Sequence, residues 1–211
     1  MLDLHTVSRA VGIDVGGVKK GYHAVLHINQ RYHAHFHSTD PYALAEWAQQ
    51  FEPNVIAIDA PSMFSLKGGS RTGERDLVKN GMRCFYTPTR AAAEKSRFYD
   101  WVFNGERLYQ ALAMPHFDGH SFAQACLIET FPHGIETAYR QSQTQVKPSG
   151  NKLTRRLSAL ANITAYDTQH LTNIDFIDAA LCAVAADHCL ADRISIYGCS
   201  EDGFIIIPRF C

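Results

Sequence analysis

The stretch Val11-Gly12-Ile13-Asp14-Val15-Gly16-Gly17 decides how this chain is read. Apolar residues surround a single aspartate and a glycine pair ends the run. That pattern predicts a buried strand that delivers a carboxylate at its exit. It returns in Val55-Ile56-Ala57-Ile58-Asp59-Ala60-Pro61 and in Ala125-Cys126-Leu127-Ile128-Glu129-Thr130-Phe131-Pro132. Farther along, Asp175-Phe176-Ile177-Asp178-Ala179-Ala180-Leu181-Cys182 reads as the start of an apolar helix. Carboxylates at the exit ends of parallel strands face one crevice, where open α/β sheets place their chemistry. Strands of this kind alternating with helices predict an α/β fold on a mixed sheet flanked by helices.

Outward from these strands, residues 21–28 and 31–38 read as a hairpin turning at Asn29-Gln30. Thr39 or Asp40 can cap a helix that has Pro41 at its first position and runs to about residue 51. Residues 60–90 form an irregular insertion with one short helix near 74–80. Residues 91–114 are mostly helical, with a break expected at Asn104-Gly105, and 133–140 form a short helix. A polar loop over 141–152 precedes a small amphipathic helix at 153–161. Asn173 caps a long helix over 174–190, and 194–210 hold one or two final strands. At 211 residues, without repeats, the chain reads as a single domain over 1–211.

Apolar residues at 46% supply a core, and 19% charged residues are too few for disorder. The net charge of −1 argues against indiscriminate coating of nucleic acid. Its distribution is uneven, however. Residues 67–97 carry eight Lys/Arg against three acids, and 140–156 carry five against none. Each segment is +5, which leaves −11 for the remainder, so two basic stretches on an acidic body can grip a polyanion locally. Ordinary solvated loops are the plain alternative. No apolar run approaches the roughly 18–20 residues that span a bilayer, so no membrane partner is expected. Residues 1–10 lack the apolar core of a secretory signal. Six cysteines without a Cys-x-x-Cys pattern fit reduced thiols and a cytoplasmic setting.

The acids Asp14, Asp59, Asp175 and Asp178 offer the oxygen donors that Mg²⁺ and Mn²⁺ prefer. Two such ions about 4 Å apart can hydrolyse a phosphodiester. Asp175 and Asp178 are three apart, so they share a helix face, and the helix dipole favours them there. Plainer roles exist for each: a helix-end charge at Asp175, a turn former at Asp59, a loop hydrogen bond at Glu129. Lys19 after the glycine pair, Arg75 on the short helix, and Lys152, Arg155 and Arg156 are the candidate phosphate contacts. His33, His35 and His37 alternate on one strand face, and His23 and His27 share a face of the preceding strand. A two-residue turn puts the two sets on opposite faces. A three-residue turn gathers five imidazoles, and zinc becomes an option. A solvent-facing histidine set is the simpler expectation.

Read in order, several short motifs add a resemblance. They are Gly12-Ile13-Asp14-Val15-Gly16-Gly17, Ala57-Ile58-Asp59-Ala60-Pro61, Gly73-Glu74-Arg75-Asp76-Leu77 and Ile128-Glu129-Thr130-Phe131-Pro132. Lys152-Leu153-Thr154-Arg155-Arg156-Leu157, the segment from Asp175 to Ala183, and Glu201-Asp202-Gly203-Phe204 complete the set. Together they resemble the domain-of-unknown-function family 429, described as predicted ribonuclease-H-like nucleases. The resemblance implies a ribonuclease-H-like mixed sheet and a two-metal site holding Mg²⁺ or Mn²⁺. In that picture Asp14 bridges both ions and Asp59 and Asp178 hold one each. Glu129 contacts metal or orients water. Nucleic acid is then the expected partner; a homodimer is compatible with the sequence, which does not fix the oligomeric state. Two rivals stand beside this reading. An ATP-binding phosphotransferase of the actin or sugar-kinase type begins with a similar strand and turn, but it normally needs a second phosphate loop. The other is a non-catalytic binding protein.

Overall fold

The apolar runs form the strands that their pattern predicts. In the computed structural model, residues 7–122, 124–143, 150–164, 167–171 and 173–210 are described. Strand β1 spans Arg9–Val15, β2 Tyr22–Ile28 and β3 Arg31–Ser38. Helix α1 covers Pro41–Gln49, with the Asp40 side chain accepting from the Tyr42 amide as its cap. Strand β4 is Val55–Asp59, helix α2 Thr72–Lys79, α3 Arg90–Ala93 and α4 Asp100–Leu112. Strand β5 is Cys126–Glu129, followed by helices α5 Pro132–Ser142, α6 Lys152–Ile163 and α7 Ile174–Leu190. Strands β6, Ile194–Cys199, and β7, Gly203–Pro208, close the chain as a hairpin.

These strands form one seven-stranded mixed sheet in the order β3-β2-β1-β4-β5-β7-β6. The early hairpin is antiparallel, whereas β1, β4, β5 and β7 run parallel. This α/β architecture is consistent with a ribonuclease-H-like arrangement. One face of the sheet packs against α7, with Ile135 of α5 and Leu160 of α6 in the same core. The other face is covered by α1 and α4 through Leu44, Ala48, Leu108 and Leu112. Among the described residues no helix is long and apolar enough to cross a membrane.

Three details differ from expectation. Helix α4 runs unbroken through Asn104-Gly105 because both residues serve packing there. Asn104 Nδ2 donates to the Gly16 carbonyl at 2.8 Å, and a Cβ on Gly105 would sit 2.5 Å from that of Ala60. The break comes earlier, where Ser96 caps a short 3₁₀ turn at Arg97–Tyr99. The polar loop expected over 141–152 is shorter at both ends, since α5 reaches Ser142 and α6 starts at Lys152. Its residues 144–149 lie outside the described residues. The hairpin turn has two residues, Asn29 and Gln30, both at positive φ as such a turn requires. A bulge at His33 then shifts the register, so that His27 faces Tyr32 but His23 faces His37. Neither simple turn alternative anticipates this result. His33, His35 and His37 are solvent-exposed, whereas His23 and His27 are buried.

Helix α7 is apolar around its whole circumference, the mark of a central helix. Its backbone crosses β1 directly at Gly12, where a Cβ would lie 2.0 Å from the Ala183 nitrogen and 2.1 Å from the Ala179 oxygen. Neither is a side chain that can move aside. We expect Gly12→Val to cost at least about 3 kcal/mol of stability, the upper range for overpacking. Thermal unfolding of the purified variant checks this, and a melting point within a degree or two of wild type would contradict the contact.

Candidate functional site

Strand register brings the first two acids together. Asp14 and Asp59 are direct neighbours at the ends of parallel β1 and β4, on the face that packs against α7. On α7, the Asn173 side chain accepts from the amides of Asp175 and Phe176, which starts the helix there. Asp178 precedes Ala179, the residue lying on Gly12, so the helix sets Asp178 beside Asp14. Asp14, Asp59 and Asp178 line one cleft of about 680 Å³ with Lys20, Lys152, Arg155 and Arg156.

Three cations answer the acids. Gly16 leaves room for the Lys20 stem, since a Cβ there would lie 2.6 Å from Lys20 Cδ. The Lys20 ammonium contacts Asp175 closely and stands 3.7 Å from Asp14. Lys152 lies 3.2 Å from Asp178 Oδ2, and Arg156 pairs closely with Asp178 Oδ1. Asp59 makes no ion pair among the described residues. Burial, the neighbouring Asp178 and Asp175 push the Asp14 carboxyl up to about 7, against a partial offset from Lys20 and Lys152. Burial followed by Asp14 and Asp178 also raises Asp59 well above the usual carboxylate range.

His23 joins the cluster across the β1–β2 ladder, where it pairs with Asp14. Ligand atoms of Asp14, His23 and Asp175 lie within 4.8 Å of one another, a spacing suited to one metal ion. His23 is 6% exposed and its Nδ1 has no hydrogen-bond partner, like the buried Oδ2 of Asp14. Burial lowers its pKa to about 4, so the imidazole is neutral and able to ligate near neutral pH. His27 is directed elsewhere, with Nδ1 2.6 Å from Asp187.

The remaining candidates have other partners, although Glu129, Arg71 and Glu74 line a small pocket of about 60 Å³ that Asp59 also lines. Glu129 pairs in register with Ile58, not Asp59, so strand alternation turns it to the opposite face of the sheet. There Arg71 grips both of its oxygens, and the Ser62 amide and hydroxyl donate to Oε2 at 2.8 and 2.9 Å. Arg71 also binds Glu74, whose carboxylate accepts from the Thr87 amide at 2.8 Å. The insertion is thus braced by a buried ion-pair network. Arg75 is spent on the Ser70 carbonyl and the Thr72 hydroxyl, and Lys19 is exposed on the β1–β2 turn. Of the two lysines after the glycine pair, Lys20 turns onto the acids while Lys19 stays exposed, and Arg71, which the sequence reading did not single out, holds the insertion. His23 was accessible from the tight Gly16–Gly21 turn, which makes strand partners of Asp14 and His23.

The chain belongs to the family described as "Protein of unknown function (DUF429)", whose model matches residues 12–202. No match was found among curated proteins or among solved structures.

Two predictions follow from the electrostatics. Between about pH 4 and 7 the folded chain holds a proton on Asp14 that the unfolded chain has released, so this group destabilises the metal-free fold progressively as pH rises. His23 acts in the opposite sense between about pH 4 and 6.5 and is present in both chains compared. In chelating buffer, Asp14→Asn should therefore match wild type near pH 4 and exceed it by roughly 1–3 kcal/mol at pH 8. Denaturant unfolding across that range measures the difference, and a constant offset would contradict the assignment. Glu129→Gln leaves the Arg71 guanidinium short of a counter-charge and should cost about 3–5 kcal/mol. Mn²⁺ affinity should persist, as calorimetry under folded conditions will show.

Proposed function

We propose that the protein is a metal-dependent nuclease that hydrolyses phosphodiester bonds of nucleic acid with Mg²⁺ or Mn²⁺. The observation that carries this reading is the convergence of Asp14, Asp59 and Asp178 on one cleft beside basic side chains, with Asp175 joined to Asp14 through Lys20. Burial and the neighbouring acids raise the Asp14 and Asp59 carboxyls, an arrangement poorly suited to stability alone, and a divalent cation would resolve the repulsion. The donor set fits such ions: oxygen ligands from the aspartates, with the unpartnered His23 nitrogen beside Asp14 and Asp175. Asp14, Asp59 and Asp178 would hold one part of the metal charge, and Asp14, Asp175 and His23 the other. Bound ions of this kind supply a water acidic enough to deprotonate near neutral pH and neutralise charge on the phosphate and leaving oxygen.

The chain's own groups do the rest. Lys20 neutralises Asp14 and Asp175 when no other cation is present, and so keeps the cluster folded. Lys152, Arg155 and Arg156 sit on the rim of the cleft, where phosphate oxygens would meet them. Among the described residues the cysteines are unbridged, which suits a reducing cytoplasm.

Titration of Mn²⁺ into chelator-stripped protein tests the reading. Binding should approach two ions per chain, about tenfold weaker or worse in Asp14→Asn and Asp178→Asn, with cleavage of nucleic acid lost in both. Imidazole favours Mn²⁺ over Mg²⁺, so His23→Ala should reduce the Mn²⁺ preference by about tenfold. Wild-type protein that binds no Mn²⁺, alone or with nucleic acid present, would falsify the proposal.

A further inference from the structure

The cleft has a second wall that the acids do not explain. Besides the carboxylates and cations it is lined by Phe85, Phe98, Trp101 and Phe131. Phe85 is 73% exposed and Phe98 58%, unusual for phenylalanines that neighbour a buried charged site. Their rings meet edge to face at 5.9 Å, an arrangement that leaves at least one flat face unstacked. Exposed Arg83 lies two residues before Phe85, and the rim beyond carries Lys152 and Arg155. A partner must therefore offer flat apolar rings on one side and negative charge on the other.

We propose that the cleft takes single-stranded nucleic acid, with unpaired bases stacked on Phe85, Phe98 and Trp101 and phosphates held by Arg83, Lys152 and Arg155. The proposal rests on the phosphodiester reading of the acids and adds the substrate class. A base inside a duplex has both faces occupied by its neighbours, so aromatic side chains serve only strands whose bases are free. Size agrees. At about 680 Å³ the cleft falls within the range that encloses single small ligands, room for a nucleotide or two of one strand. An apolar peptide or a second copy of the chain would match the aromatic rings and leave exposed Arg83, which makes no ion pair among the described residues, unanswered; Lys152 and Arg155 would exchange Asp178 and Glu136 for phosphate. Phe85 belongs to the insertion that Arg71 and Glu74 brace, whereas Phe98, Trp101 and Phe131 come from the 3₁₀ turn, α4 and the start of α5.

Fluorescence anisotropy decides the matter. Labelled probes would be a short single strand, its duplex, and an abasic strand of the same length and charge, each bound by the full chain in Ca²⁺ buffer. The single strand should bind at least about tenfold more tightly than the duplex, and Phe85→Ala and Phe98→Ala should each weaken it about 5- to 100-fold. The abasic strand should bind wild type as weakly, with no further loss in Phe85→Ala. Equal or tighter binding of the duplex, or of the abasic strand, would overturn the proposal. So would a dimer in sedimentation that Phe85→Ala dissociates, because a second copy would then own the rings. Mn²⁺ calorimetry on the same variants separates the two claims. Normal Mn²⁺ binding with indifferent aromatic variants removes this proposal alone. Intact strand stacking in a protein that binds no Mn²⁺ removes the phosphodiester reading alone.

Discussion

At Gly12 the backbone of α7 lies against that of β1, closer than any side chain would permit, and the position of the acids follows from that contact. Alanines at 179, 183 and 186 are fully buried, so the helix meets the sheet with small side chains along its length. The contact sets the height at which the helix crosses. Asp14 lies two residues beyond Gly12, and Asp178 lies one residue before Ala179, whose carbonyl faces Gly12. Both carboxylates therefore arrive at the same end of the sheet. A larger residue at position 12 would alter packing and the spacing of the charges together.

The two faces of the sheet treat buried charge differently. On the α4 side, Glu129 and Glu74 share Arg71, and nearly every oxygen has a hydrogen-bond donor. Such a network holds structure in place, because every charge in it is answered at short range. On the α7 side, four aspartates share three cations, Asp59 has no ion partner among the described residues, and burial with neighbouring acids raises the Asp14 carboxyl to about 7. Charge left unanswered in that way retains capacity for a cation from outside. The contrast within one sheet separates a brace from a binding site more clearly than the residue types alone, since both clusters consist of carboxylates and basic side chains.

What was legible in the sequence was local. Strand ends marked by Asp14, Asp59 and Glu129, the Asn173 cap of α7 and the Asn29-Gln30 turn all follow from pattern and capping chemistry over a few residues. Register was not legible. Whether Glu129 sits beside Ile58 or Asp59 is a one-residue question, and strand alternation makes that residue the difference between opposite faces. The bulge at His33 has the same character, because no composition rule announces it, yet it moves His23 opposite His37. The choice between Lys19 and Lys20, or between Arg71 and Arg75, likewise depends on which way a short turn directs neighbouring side chains.

The β1–β2 turn bears on the rival phosphotransferase reading. A glycine-rich turn cradles phosphate only where its amides point outward unbonded. Here Gly16 donates to the Gly21 carbonyl at 2.8 Å, while Lys20 and Gly21 both donate to the Gly17 carbonyl at 2.9 Å. Those amides are used within the turn. Lys20, the side chain that would meet a phosphate, is directed back onto Asp14 and Asp175. The turn is therefore organised to present a cation to carboxylates. A nucleotide phosphate at the same place would face Asp14 and Asp175, with the Gly16, Lys20 and Gly21 amides already bonded. On the reading proposed above, metal held by the acids with phosphate approaching from the basic side chains avoids that repulsion, and the inward-turned Lys20 supports that reading over an ATP cradle.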